Sequence, residues 1–325
     1  MTAMSDTTIA LRDGTSHTLR ILMTGGTGFI GRPLAAALGL AGHDLLILSR
    51  GGPPPAKEAW GQARFVRDLQ QLGCDEHIDC IINLAGEPLA GGRWNAERKA
   101  RFLGSRLQVT DQLLQLVQRL EHKPKVLLNA SAVGYYGHQQ DQPLDEGASA
   151  RDCFSHQLCA RWEERAGAFE PLGLRVCLLR IGVVLGRDGG PLAELRRPFD
   201  WGIATQLGNG RQWLPWIHLQ DVLDICAFAL GQPQLQGAIN LTAPEPVTQA
   251  EFSRALRRQI THPCLPLPVP AWLLRLLVGE MADEILLSGQ RVVPHKLLQH
   301  GYVFRYPTLA QALIDLTSTV GNPHT

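Results

Sequence analysis

No uninterrupted apolar run in this 325-residue sequence reaches the ~20 residues a helix needs to cross a bilayer. The richest stretch, Leu265 to Val278, is interrupted by Pro266, Pro268, Pro270 and Arg275, and reads as a buried or surface-packed helix. Residues 1–18 contain Asp6, Arg12 and Asp13 but no apolar core, so they read as an irregular leader and not as a signal peptide. An excess of either charge is also missing. Lys and Arg total 31 against 30 Asp and Glu, a net charge of +1, which offers nucleic acid no global attraction. The pairs Arg196-Arg197 and Arg257-Arg258 read as solvated faces. Cysteine is sparse and irregularly spaced: Cys74, Cys80, Cys153, Cys159, Cys177, Cys226 and Cys264. An odd set of this kind argues against a disulfide framework and suits a reducing, cytoplasmic compartment. No HExxH and no compact His/Cys spacing occurs, so no metal is expected. Internal repeats and low-complexity tracts are likewise missing.

What is present alternates. Leu19–Thr24 reads as a strand, Arg32–Ala41 as a helix ending near Gly42, and Asp44–Ser49 as a second strand. Asp79–Leu84, Lys125–Ala130 and Leu174–Leu179 are further apolar strands, separated by helical regions near Trp94–Leu120 and Arg151–Phe169. Uniformly apolar strands alternating with helices predict an α/β fold with a mostly parallel sheet covered on both faces. Ligands then bind at the carboxyl ends of the strands. The dinucleotide-binding domain is expected over 19–182. From 183 to 325 the pattern predicts a smaller C-terminal α/β, substrate-side domain, with segments returning to the main sheet. There Gly186–Gly190 and Trp201–Gly210 read as loops, Trp213–His218 and Ile239–Thr242 as strands, and Glu251–Gln259 and Ala271–Val278 as helices.

Between the first strand and first helix lies Thr24-Gly25-Gly26-Thr27-Gly28-Phe29-Ile30-Gly31. In a Rossmann-type unit, Gly25 permits the tight turn, Gly28 lets backbone approach a pyrophosphate, and Gly31 allows close helix–strand packing. The helix N-terminus presents N–H groups to the phosphates. NAD-binding units usually end the second strand in Asp or Glu, whereas this sequence has Ser49-Arg50. A guanidinium pairs well with a 2′-phosphate, so NADP(H) is the expected cofactor. An Arg50 that simply faces water is the plain alternative.

These motifs, with Asn83-Leu84-Ala85-Gly86-Glu87-Pro88, Ser131-Ala132-Val133-Gly134-Tyr135-Tyr136-Gly137 and Leu158-Cys159-Ala160-Arg161-Trp162-Glu163, carry a family resemblance. Trp216-Ile217-His218 and Gly289-Gln290-Arg291-Val292-Val293-Pro294 extend it. From Leu19 onward the sequence resembles the extended short-chain dehydrogenase/reductase superfamily, in its atypical "epimerase family" branch with a distinctive C-terminal region. The resemblance implies that Asn83, Leu84, Ala85 and Gly86 close over the adenosine and pyrophosphate side of the cofactor, with Glu87 next to them. It implies that Asp68-Leu69 lies beside adenine, that Ser131 bonds a substrate oxygen, and that the C-terminal half covers the nicotinamide.

Active members of the superfamily follow that serine with Tyr-x-x-x-Lys, the tyrosine acting as general acid or base. Aligned on the segment Asp152–Cys159, Cys153 takes the tyrosine place and Gln157 the lysine place. Gln157 can bond a cofactor ribose but carries no charge, and Cys153 reads as filler. Tyr135 and Tyr136 are the substitute candidates beside Ser131, and His156 is expected to pack or face solvent. His218, in a His-x-x-Asp arrangement with Asp221, is expected to join elements structurally. The resulting expectation is an NADP(H)-dependent oxidoreductase or nucleotide-sugar-epimerase-like enzyme for a small carbonyl or alcohol, compatible with a homodimer. The alternative is an NADP(H)-binding regulatory or scaffold protein with little turnover.

Overall fold

The computed structural model describes residues 18–52 and 63–318. All but the last residue of the expected 1–18 leader lies outside them. Seven parallel strands form the main sheet: β1 (Arg20–Thr24), β2 (Asp44–Leu48), β3 (Arg64–Val66), β4 (Cys80–Asn83), β5 (Val126–Ala132), β6 (Arg175–Ile181) and β7 (Gly237–Leu241). Their order is β7-β6-β5-β4-β1-β2-β3. The chain therefore winds outward from β1 in both directions, and the β1/β4 boundary is the point where a ligand crevice opens.

Apolar side chains on both sheet faces draw helices to each. Leu34 and Leu38 of α1 (Gly31–Leu40) pack on one face with Val222, Ile225 and Cys226 of α5 (Leu219–Gly231). The other face takes Leu113, Leu116 and Val117 of α2 (Ala96–Arg119) and Ala166 of α3 (Phe154–Gly167). The starts are chemically marked. Asn95 caps α2 by accepting from Arg98 N, leaving one fewer orphan donor in its first turn.

After β6 the chain builds a second core. The helices α4 (Gly190–Asp200), α6 (Gln249–Arg258) and α9 (Leu309–Thr317) enclose Phe199, Trp216, Phe252 and Leu313. Between α6 and α9 run α7 (Ala271–Val278), a π-helical turn at Ala282–Leu286 and α8 (His295–Gln299). Three expectations in this part need correcting. Trp201–Gly210 is not all loop, because Ile203–Leu207 is a strand, and Leu265–Val269 pairs with it in parallel instead of starting a helix. Two of the prolines above lie in that partner strand, at an edge where a missing N–H costs little. Gly190–Asp200, for which the sequence offered no reading beyond the loop ending at Gly190, folds as a helix although Gly190 and Pro191 open it, proline being tolerated in a first turn. Trp213–His218 is two strands split by Pro215: Trp213–Leu214 runs antiparallel to Val247–Thr248, and Trp216–His218 parallel to Val183–Leu185.

Candidate active site

A cleft of ≈ 800 Å³ opens at the carboxyl ends of β1, β2 and β4. Its floor is the glycine turn. Gly25 has φ 66°, and a Cβ there would lie 2.6 Å from the backbone carbon and oxygen of Leu84. A Cβ on Gly31 would fall 2.1 Å from the Gly25 oxygen, so the turn and the first coil of α1 close only without side chains. Thr27 and Gly28 line the cleft directly, beside Leu84, Ala85, Gly86, Glu87 and Pro88.

Asn83 is fully buried and does not line this cleft. Its Oδ1 accepts from Thr24 Oγ1 at 2.6 Å, and its Nδ2 donates to Thr110 Oγ1 at 3.1 Å and Asn129 Oδ1 at 2.6 Å. It thus ties the ends of β1 and β4 to the middle of β5 and to α2, and the Thr24 hydroxyl it holds accepts from Ala85 N at 3.3 Å, bracing the loop at 84–88. Phe29 packs on the main core and against the turn that opens α4, where Cβ atoms on Gly186 and Gly190 would come 2.7 and 2.5 Å from its ring. Ile30 precedes α1 and packs on the main core.

At the far end of the cleft stand Ser49, Arg50, Arg67 and Asp68. Ser49 Oγ donates to Gly52 O at 2.9 Å, which shapes the turn after β2. Asp68 accepts from Gln70 N at 2.9 Å and so caps the short 3₁₀ turn that follows. Leu69 is buried in the core beneath it. Arg67, exposed at the end of β3, was not singled out by sequence reasoning. Its one available signal was position: a basic residue just before the Asp68-Leu69 pair.

The carboxyl end of β5 holds a buried polar network. Ser131 Oγ donates to Glu163 Oε1 at 2.6 Å. Arg180 grips the same carboxylate, Nε to Oε1 and Nη2 to Oε2, each at 2.9 Å. Its Nη1 donates to Tyr136 Oη at 3.0 Å, and Tyr136 Oη donates to Asn240 Oδ1 at 2.6 Å. Tyr136 is fully buried, and burial pushes its phenol up to about 12 despite Arg180. Tyr135 is half-buried, with the Arg180 guanidinium 3.4 Å from its ring centre.

On α3 the inward positions are Ser155, Cys159 and Glu163, four residues apart and on one helix face. Ser155 and Cys159 flank Gly134, whose Cβ would meet Ser155 Cβ at 3.2 Å and Cys159 Sγ at 3.8 Å. Burial raises the Cys159 thiol to about 11. Ser155 Oγ donates to Glu284 Oε2 at 2.6 Å, and Glu284 also accepts from the N–H groups of Phe154 and Ser155. Burial opposes ionisation of Glu284, but these bonds and the nearby His138 hold its carboxyl below its ordinary value.

The sequence profile of the NAD dependent epimerase/dehydratase family matches residues 21–241. The chain belongs to that family. In this epimerase-family chain a second profile, a domain of unknown function designated DUF1731, matches residues 269–316. Epimerase family protein Mb2239 of Mycobacterium bovis is 39% identical over 302 residues, 93% of this chain and 98% of its own. Epimerase family protein YfhF of Bacillus subtilis is 36% identical over 305 residues, 92% and 98% of the two chains. The crystal structure of human epimerase family protein SDR39U1 (isoform 2) with NADPH superposes with a TM-score of 0.81 at 31% identity, covering 92% of this chain and 99% of that one. This is therefore an NAD(P)-dependent epimerase- or oxidoreductase-like protein with a dinucleotide cleft and a distinct C-terminal α/β unit.

Its reaction end departs from the Tyr/Lys pair, and the structure corrects where the departure lies. Gln157 is exposed and donates to Asp152 Oδ1 at 2.9 Å, turned away from Ser131. Cys153 is the N-cap of α3 and accepts from His156 N at 3.4 Å. The spacing of four on the buried face of α3 is instead Ser155 to Cys159, beside Gly134. Helix phase explains the shift: with Cys153 at the cap and Glu163 pointing inward, the inward face falls two residues later than the aligned motif. Among the described residues, no helix is long and apolar enough to cross a membrane.

Proposed function

We propose that the chain is an NADP(H)-dependent oxidoreductase or nucleotide-sugar-epimerase-like enzyme acting on a small carbonyl or alcohol. The observation that carries the cofactor reading is the pairing of Arg50 and Arg67 at one end of the cleft. Two guanidinium groups there suit a 2′-phosphate, and Asp68 beside them is engaged by Gln70 N–H. NADPH in the human relative's structure supports the same choice.

The remaining cofactor roles follow the cleft's order. Gly25, Thr27, Gly28 and Gly31 receive the pyrophosphate on the turn and the first coil of α1. Leu84, Ala85, Gly86 and Glu87 cover it, braced by Asn83. When bound, the dinucleotide supplies or accepts hydride at its nicotinamide. Ser131 then orients the substrate oxygen. Because its hydroxyl hydrogen goes to Glu163, Ser131 presents lone pairs, which favours a substrate hydroxyl over a carbonyl in the resting arrangement. Tyr135 carries the proton, and the deeply buried Tyr136 shapes the wall.

Nucleotide binding and turnover test these roles separately. Arg50→Ala and Arg67→Ala each weaken NADPH by ~10-fold or more while leaving NADH unchanged; equal effects on both nucleotides would sink the 2′-phosphate reading. A redox screen over aldehydes, ketones, alcohols and nucleotide sugars then reads turnover, with Ser131→Ala and Tyr135→Phe as controls. A second reading, an NADP(H)-binding regulatory protein, is favoured by one observation: the Ser131 and Tyr136 hydroxyls are both already committed within the protein. Tight NADPH binding with no turnover across that screen would select it.

A further inference from the structure

Three side chains from distant parts of the chain meet at the amino end of α3. His138 follows the turn after β5, Cys153 caps α3, and Glu284 sits in the π-helical turn Ala282–Leu286. One imidazole nitrogen, the Sγ and a carboxylate oxygen all lie within 4.8 Å of one another. Two further observations point to a ligand between them. His138 Nε2 is buried with no hydrogen-bond partner, and Glu284 Oε1 stands 3.9 Å away, beyond hydrogen-bond reach. The carboxylate is delivered by a π turn, a rare element that recurs at functional sites.

We propose that His138, Cys153 and Glu284 bind a zinc ion, through Nε2, Sγ and Oε1. Ligands on one tetrahedral zinc lie roughly 3.3–3.8 Å apart at bond lengths of ~2.0–2.3 Å, so small side-chain rotations close the present spacing. The mixed nitrogen, sulfur and oxygen set suits zinc and disfavours magnesium or calcium, which take oxygen. A thiolate and a carboxylate also neutralise the ion's charge. Binding forms the Zn–S bond and releases the thiol proton to solvent, one per ion. The His156 N–H at 3.4 Å remains as a donor to the thiolate, and Glu284 Oε2 keeps its bonds from Ser155. Three protein ligands leave a fourth position for water or a substrate oxygen, next to Ser155.

The test uses the full chain, stripped with a chelator and exchanged into metal-free buffer. Zn²⁺ is titrated against a chromophoric chelator, and Co²⁺ binding is followed by its thiolate charge-transfer absorption in the near ultraviolet. The expected result is one ion per chain, with the cobalt–thiolate band. Cys153→Ser removes that band and weakens Zn²⁺ at least ~10-fold, as does His138→Ala for affinity. Serine still caps α3, so circular dichroism of Cys153→Ser stays unchanged. Cys74→Ser, at an exposed thiol away from the site, changes nothing. Affinity unchanged in both ligand variants, or cobalt binding without the thiolate band, overturns the site.

Discussion

Arg180 and Glu163 meet as a buried, two-pronged ion pair, Nε to Oε1 and Nη2 to Oε2 at 2.9 Å, directly beneath Ser131. Both side chains are less than a tenth exposed. The pair matters less as a source of stability than as a constraint. With both charges out of water, neither partner can be removed cheaply. Arg180→Ala therefore costs about 3–5 kcal/mol, because Glu163 is left buried with Ser131 as its main donor. Urea denaturation measures this, and a loss under ~1 kcal/mol would mean that water replaces the guanidinium.

Gly31→Ala tests the glycine turn. The added Cβ falls 2.1 Å from Gly25 O, so α1 must move away from the turn. Expected are a loss of about 1–3 kcal/mol from strain and at least a ~10-fold weaker NADPH affinity. Ala substitution at Gly167, where a Cβ meets nothing within 4 Å, is the control and keeps the affinity unchanged.

Asn83→Asp keeps the shape and removes the two amide donors. The carboxylate then faces Asn129 Oδ1, now at 2.6 Å from Nδ2, in a fully buried site. A loss of about 2–4 kcal/mol is expected near neutral pH, from a buried charge and an unmet acceptor. Because protonation restores a donor, the penalty shrinks on acidification. A penalty independent of pH between 7 and 5 would contradict this account.

His218 supplies an acid-side stability dependence. Burial pushes its imidazole down to about 4, against an opposing attraction from Asp315. Nδ1 accepts from Gln220 N at 3.0 Å, capping α5, so the neutral ring carries its hydrogen on Nε2, facing Asp315 Oδ2 at 3.3 Å. The folded state thus binds fewer protons than the unfolded chain, whose imidazole titrates near 6.5. This contribution is whole above about pH 6.5 and is lost as pH falls toward 4, up to about 3 kcal/mol. Denaturation midpoints of the wild type and His218→Gln, compared from pH 7 to 4, should converge as pH falls. Parallel curves would remove His218 as the cause.

The main sheet was legible because its signals are local. Apolar runs, glycine punctuation and helical spacing place β1, β2, β4, β5, β6 and β7 within a residue or two. The short strand β3 escaped, having only three residues and an exposed Arg64 at its start. Arg50 could be read because it follows a strand whose end has a known use. Arg67 reaches the same spot from β3, and that required the strand order to be known.

In the second half of the chain the local signals weaken. Pro266 and Pro268 suggested no strand, yet Leu265–Val269 pairs with Ile203–Leu207 because it lies at an edge. Gln157 illustrates the same limit on a helix. Its spacing from Cys153 was visible, but only packing set the rotation of α3, and that rotation turns Ser155, Cys159 and Glu163 inward.

By itself the sequence determined the dinucleotide grip, since a tight turn between strand and helix needs glycine at positions only a few bonds apart. The tertiary structure alone decided what surrounds the reaction end. Ser131 meets Glu163 and Arg180, and His138 meets Cys153 and Glu284, across long stretches of chain. Contacts of that kind arise from the packing of separate elements, and no periodicity within any one element encodes them.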